Sequence, residues 1–165
     1  MNLNKKYTLI TGGSGLIGEE LIKGFLNKDS KVAFTCTSVA EGNRLIKKFN
    51  NKNLKCFLMD IHNREDIIEF IDKHKNNKFT NIVHSARSLK TLKISKSLIK
   101  NLINFEKEFL LANVLPFALF ETYKKSLNNF VFISSMYGVV APNKNLYSDG
   151  YDRSSINYGV SKSFF

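Results

Sequence analysis

Eight residues constrain this chain more than any others. Positions 11–18 read Thr-Gly-Gly-Ser-Gly-Leu-Ile-Gly and follow the apolar run Tyr-Thr-Leu-Ile at 7–10. Gly12, Gly15 and Gly18 stand three apart, and four of the nine glycines fall within seven positions. A strand that ends in such a run must turn tightly and start a helix. Gly12 supplies backbone angles that other residues rarely adopt. Gly15 leaves room for a phosphate to approach the main chain, and Gly18 lets the new helix lie close to the sheet. The helix start offers unpaired N–H groups and partial positive charge to an anion. The run reads as a cradle for the pyrophosphate of a dinucleotide, with Gly12, Ser14, Gly15, Leu16, Ile17 and Gly18 against the cofactor.

The rest of the chain alternates strand and helix patterns. Strands are expected over 6–11, 31–37, 54–59, 80–84 and 130–134. Between them lie helical periods over 15–28, with Ile17, Leu21, Ile22, Phe25 and Leu26 on one face, and over 39–49, with Leu45, Ile46 and Phe49 inward. Asn63 fits an N-cap for the helix holding Ile67, Ile68 and Ile71. Residues 98–127 read as mostly one long helix, bent or broken near Pro116. Alternation of this kind implies an α/β fold, a doubly wound parallel sheet (the Rossmann fold) with helices on both faces.

At 165 residues the chain is expected to form one dinucleotide-binding domain over 1–165. A 43% hydrophobic content argues for a packed protein over a disordered one. The densest apolar stretch, 109–120, contains Asn113 and Pro116 and is too short to span a bilayer. Cys36 and Cys56 have no metal-ligand spacing and sit in strand-like runs, so no metal is expected. Buried free thiols fit a cytoplasmic protein. The net charge of +11 comes from lysines scattered along the chain, 21 Lys against 4 Arg, which reads as composition bias. No nucleic-acid or membrane partner is expected, and the basic field favours a phosphate-bearing cofactor.

A second constellation lies near the end. Tyr158 and Lys162 form a Tyr-x-x-x-Lys, a common pattern by chance in so lysine-rich a chain. Position gives it weight, because it follows a strand ending in Ser134-Ser135. A spacing of four puts both side chains on one helix face, where an ammonium favours the phenolate form of its neighbour. Tyr158 could then exchange a proton with a carbonyl or hydroxyl while Ser135 hydrogen-bonds the same oxygen.

Taken in order, the glycine run, Asp60 after the third strand, Asn113 in the long helix, and Ser135 with Tyr158 and Lys162 resemble the short-chain dehydrogenase/reductase family. The resemblance implies an NAD(P)-dependent oxidoreductase acting on a small carbonyl or alcohol substrate. By it Tyr158 is the acid/base, Lys162 tunes Tyr158 and binds the nicotinamide ribose, Ser135 orients the substrate oxygen, and Asn113 helps hold a proton-relay water. Asp60 would hydrogen-bond the adenine, and Ile61 and Ala86 would be further cofactor-binding residues.

Departures from the family pattern are equally specific. The glycine spacing is that of the family's extended branch, whose members often epimerise or dehydrate nucleotide sugars. The chain length and the Ser-Ser-Met-Tyr-Gly run are similar to the shorter reductases. After the fourth strand stands His84-Ser85-Ala86-Arg87, with Arg87 where glycine is common and His84 read as a strand-end residue. The gap from Ser135 to Tyr158 is 23 residues, lengthened by a polar insertion over 142–157. Reductases near glycan and flagellin modification are similar in both respects, which points to a sugar-related substrate. The second strand ends Thr37-Ser38 with no carboxylate before Glu41. An NAD site usually carries one there, so NADP is favoured over NAD, with Arg44 a further candidate for the 2′-phosphate. Only three residues follow Lys162, so the chain is expected to be a C-terminally incomplete piece of a longer reductase, lacking the fold's last strands. A homo-oligomer fits the resemblance, as does a catalytically silent dinucleotide-binding fragment.

Overall fold

The computed structural model describes residues 6–88, 90–91, 95–141, 143 and 156–163. They group into two compact units, one of Met1–Ala86 with Pro116–Ile133 and one of Arg87–Leu115 with Ser134–Phe165.

The first unit is built on a sheet of β1 (Tyr7–Thr11), β2 (Lys31–Cys36), β3 (Leu54–Leu58), β4 (Asn81–His84) and β5 (Asn129–Phe132). All pairs are parallel, in the order β3-β2-β1-β4-β5. The connections carry α1 (Leu16–Leu26), α2 (Val39–Phe49) and α3 (Arg64–His74), and α5 (Leu115–Tyr123) precedes β5. Strand order runs outward from β1 to β3 and then reverses to β4 and β5. Right-handed crossovers therefore put α1 and α2 on one face and α3 on the other. The reversal leaves a crevice at the strand ends between β1 and β4. The doubly wound reading of the sequence is confirmed.

Central strands are apolar on both faces because helices cover both. Ile10, Val32, Phe34 and Val83 meet Ile22 and Leu26 of α1 and Leu45 of α2 in one buried cluster. Tyr123 is buried against Phe79, and its hydroxyl donates to the His74 carbonyl at 3.0 Å. Asn63 caps α3 as expected, its side-chain oxygen accepting from the Glu65 and Asp66 amides. Ile17, expected on the inner face of α1, is 56% exposed beside Leu16 at 93%. Ile46 and Ile68 are also on outer surfaces. The helical period was right in each case, but the inward stripe is narrower than the run of apolar residues.

The second unit contains α4 (Leu98–Phe109), a π-helical turn at Leu110–Val114, a 3₁₀ turn at Met136–Gly138 and α6 (Ile156–Lys162). The break expected at Pro116 lies just before it. The Leu115 N–H reaches back five residues to the Leu110 carbonyl. Proline offers no N–H to the fourth residue back and its ring crowds that carbonyl, and one widened turn relieves both problems. β5 ends at Phe132, two residues earlier than expected, and the Ser134-Ser135 pair lies beyond it. The insertion over 142–157 lies outside the described residues except for Asn143 and the start of α6.

Candidate functional site

A candidate cofactor site within the first unit belongs to the β1–α1 connection. Gly12 has φ +69, which L side chains rarely adopt, and an added Cβ would lie 2.5 Å from the Ala86 Cα. Gly12 and Gly13 are held by Thr35, whose hydroxyl and carbonyl accept from the two amides at 3.3 and 3.0 Å. A Cβ on Gly18 would meet the Gly12 carbonyl at 2.3 Å. Gly15 is the N-cap of α1, and no side chain caps that end. The first-turn amides have no partners within the helix, so they are available to an anion. These features fit a pyrophosphate: a backbone cradle, a close helix packing and an uncapped helix start.

Thr11 ties this turn to the end of β4. Its hydroxyl lies 2.9 Å from His84 Nδ1, its carbonyl accepts from Ser85 Oγ at 2.8 Å, and Ala86 N–H donates to its hydroxyl at 3.4 Å. His84 is the last residue of β4, as the sequence indicated, and is buried and stacked on Phe132. At the end of β2, Thr37 is exposed and Ser38 half-buried. Ser38 caps α2 through the Glu41 amide at 3.5 Å. Arg44 is engaged by Glu19, whose other carboxylate oxygen takes Lys48. The Arg44 and Lys48 hydrogen bonds hold the Glu19 carboxyl below its ordinary range. Asp60 is exposed and its carboxylate accepts the His62 amide at 2.9 Å, while Ile61 beside it is buried.

A separate cluster, within the second unit, is assembled around α6. Tyr158 and Lys162 are both buried, at 8% and 7% exposure. The Arg87 guanidinium lies over the Tyr158 ring, 3.8 Å from its centroid, and Lys162 Nζ is 6.0 Å from the same point. The 3₁₀ turn is drawn against α6. Ser134 Oγ donates to the Lys162 carbonyl at 3.0 Å, and a Cβ on Gly138 would sit 2.4 Å from that carbonyl oxygen. Ser135 starts this turn, its hydroxyl accepting the Tyr137 amide at 3.2 Å. The π turn also packs on α6 and carries Asn113. That side chain is 5% exposed, and neither end of its amide has a hydrogen-bond partner among the described residues. A buried amide of that kind is suited to hold a water.

Two members of this cluster, Glu108 and Thr91, were not singled out from the sequence. Glu108 of α4 is 2% exposed and accepts a hydrogen bond from the buried Thr91 hydroxyl. Burial pushes its carboxyl up, while Thr91 and the charges of Arg87 and Lys162 pull it down. Burial lowers Lys162 to about 8, Arg87 adds repulsion, and Glu108 opposes both. Only a polar residue recurring on the inner side of α4, with Asn104 also buried, hinted at Glu108. Among the described residues, no grouping of His, Cys, Asp and Glu is suited to a metal. No helix among them is long and apolar enough to cross a membrane.

The fold and the glycine turn define a dinucleotide-type α/β protein. The chain belongs to the NAD-dependent epimerase/dehydratase family, whose model matches residues 8–165. Three solved structures share the fold. A blue fluorescent protein from a metagenomic library, in complex with NADPH, matches with TM-score 0.77 and 18% identity over 99% of this chain and 65% of its own. The bulky-bulky ketone specific alcohol dehydrogenase from Comamonas testosteroni matches with TM-score 0.76 and 16% identity over 98% of this chain and 65% of its own. BdcA in complex with NADPH matches with TM-score 0.76 and 18% identity over 99% and 62%. The chain therefore spans less than two thirds of the length of these relatives.

Proposed function

We propose that this chain carries the cofactor-binding and acid/base residues of an NAD(P)-dependent oxidoreductase acting on a small carbonyl or alcohol substrate. The observation that carries the reading is the buried Tyr158–Lys162 pair, one helical turn apart with cations against the phenol ring, in a chain that also holds the uncapped glycine cradle. NAD(P), when bound, supplies or takes up the hydride. Gly12, Ser14, Gly15, Leu16, Ile17 and Gly18 hold its pyrophosphate, Thr37 and Ser38 its adenosine ribose, and Asp60 and Ile61 border the adenine. Ala86 lines the path, and Lys162 binds the nicotinamide ribose. NADP is favoured because the residues just after β2, Thr37 and Ser38, offer hydroxyls and no carboxylate. The engagement of Arg44 by Glu19 leaves Thr37 and Ser38 as the first candidates for the 2′-phosphate.

Tyr158 exchanges the proton with the substrate oxygen, and Ser135 hydrogen-bonds that oxygen. Lys162 stabilises the negative charge left on the phenol, and Asn113 holds the water that returns the proton. Titration with NADPH and NADH, read by cofactor fluorescence, tests the cradle, since the chain has no Trp to interfere. Saturable binding with NADPH consumed against a carbonyl panel is the expected result. Absence of binding by the folded protein would overturn the reading, and binding without turnover would leave only a dinucleotide-binding fragment.

The family match favours a second reading, a nucleotide-sugar epimerase or dehydratase. Such an enzyme restores its cofactor each cycle, so product would form with no net NADPH consumption. Leu98, Ile99, Leu102 and Ile103 of α4 are exposed, which supports a homo-oligomer, and light scattering would report it. The free thiols of Cys36 and Cys56 support a cytoplasmic setting.

A further inference from the structure

Cys36 ends β2 and Cys56 lies in β3, and neither has a place in the chemistry above. Their sulfurs are 3.4 Å apart. Gly42 of α2 lies over both, and a Cβ there would stand 2.7 Å from one sulfur and 3.3 Å from the other. The Cys36 thiol also donates to the Ser38 carbonyl at 3.2 Å. That carbonyl accepts the Gly42 N–H as well, in the first turn of α2. The thiol pair is thus joined to the Thr37–Ser38 turn.

We propose that Cys36 and Cys56 are a redox-active pair that a hydroperoxide converts to a reversible disulfide, loosening the Thr37–Ser38 turn and weakening dinucleotide binding. The pair has the asymmetry this chemistry needs. Contact with Cys56 lowers the Cys36 thiol, while contact with Cys36 and burial raise Cys56, so Cys36 is the sulfur that ionises first. The Cys36 thiolate attacks one peroxide oxygen. The O–O bond breaks, Cys36 becomes a sulfenic acid, and the other oxygen takes a proton and leaves as water from hydrogen peroxide or as an alcohol from an organic hydroperoxide. The Cys56 sulfur then attacks the Cys36 sulfur, the S–O bond breaks, and water leaves. Two thiols lose two electrons and the peroxide gains them.

Strand register decides that this bond is labile. Cys36 stands opposite Leu58 and Cys56 opposite Phe34, so the cysteines are diagonal neighbours. Parallel strands about 4.8 Å apart, with about 3.3 Å of rise per residue, put a pair offset by two residues roughly 8 Å apart at Cα, beyond the usual span of a disulfide. The sulfurs must close to about 2.05 Å, so β3 must shift against β2. β3 is at the edge of the sheet and has no second ladder to break. A bond formed under such constraint is easily reduced. Oxidation draws the Cys36 sulfur toward β3 and away from the Ser38 carbonyl, so the Thr37–Ser38 turn loses that contact and dinucleotide affinity should fall several-fold.

The consequence for binding rests on the dinucleotide reading, whereas the bond itself does not. The full chain, folded, is treated with hydrogen peroxide, alkylated with N-ethylmaleimide and mapped by mass spectrometry without reduction. The expected result is a Cys36–Cys56 linked peptide that dithiothreitol reverses and that forms faster than in the urea-unfolded chain. Cys56→Ser should stop at a sulfenic acid on Cys36 that dimedone traps. No linked peptide, or equal rates in folded and unfolded chain, would overturn the pair. NADPH titration of reduced and oxidised protein completes the test. Weaker binding by the oxidised form is expected, and equal affinity would overturn the switch. Failure of the reduced protein to bind would count against the dinucleotide reading, with the peptide map still deciding the disulfide.

Discussion

The β1–α1 turn and the α6 cluster are built by opposite means. In the first, the reactive surface is backbone. Gly12 at φ +69, Gly18 against the Gly12 carbonyl and the uncapped start of α1 make an anion cradle from residues adjacent in sequence. In the second, the surface is side chains. Arg87, Thr91, Glu108, Asn113, Tyr158 and Lys162 come from four segments, and five of these six side chains are buried. The difference teaches what each can tolerate. A backbone cradle fails when a side chain is added. A buried charge cluster fails when a partner is removed, because the remaining charge has lost its compensation.

The largest effect expected is from Tyr158→Phe. Turnover should fall by about 10²-fold or more, while NADPH affinity stays near that of the parent. Steady-state kinetics beside a fluorescence titration checks both, and lost binding would show that Tyr158 also holds the cofactor. Gly12→Ala should act at the binding step, and turnover should be lost with it. The strained φ and the contact with Ala86 should cost ~1–3 kcal/mol of stability and abolish saturable NADPH binding, measured by urea unfolding and titration. An unchanged titration would break the backbone-cradle account.

Lys162 sharpens the comparison through pH. Its folded value of about 8 lies below its ordinary 10.5. Between those values the unfolded chain holds more protons, so this group raises stability as pH climbs through that window. Urea midpoints from pH 8 to 10.5 should therefore rise for the parent relative to Lys162→Met. A parallel pair of curves would mean that Lys162 is solvated. Asn63→Ala, outside both the turn and the cluster, should cost only ~1 kcal/mol through its lost helix cap, with binding and turnover unchanged. Any loss of NADPH affinity there would show that α3 is coupled to the cradle.

The parts of this protein legible in the sequence were those set by neighbouring residues. The strand–helix alternation, the glycine turn, the Asn63 cap and the place of His84 at a strand end follow from periodicity and local backbone chemistry. Each depends on residues a few positions apart, or on the end of a single strand. Tertiary structure decided the rest. It set Glu108 and Thr91 beside Lys162, laid Arg87 over the Tyr158 ring, widened the turn before Pro116 and brought Cys36 against Cys56. The sequence could nominate Tyr158 and Lys162 by their spacing but not the charges around them. Glu108 lies 54 positions before Lys162, and no local pattern encodes a contact across that distance. Burial and charge balance are properties of the packed chain, because both depend on which distant segments exclude water from the same place.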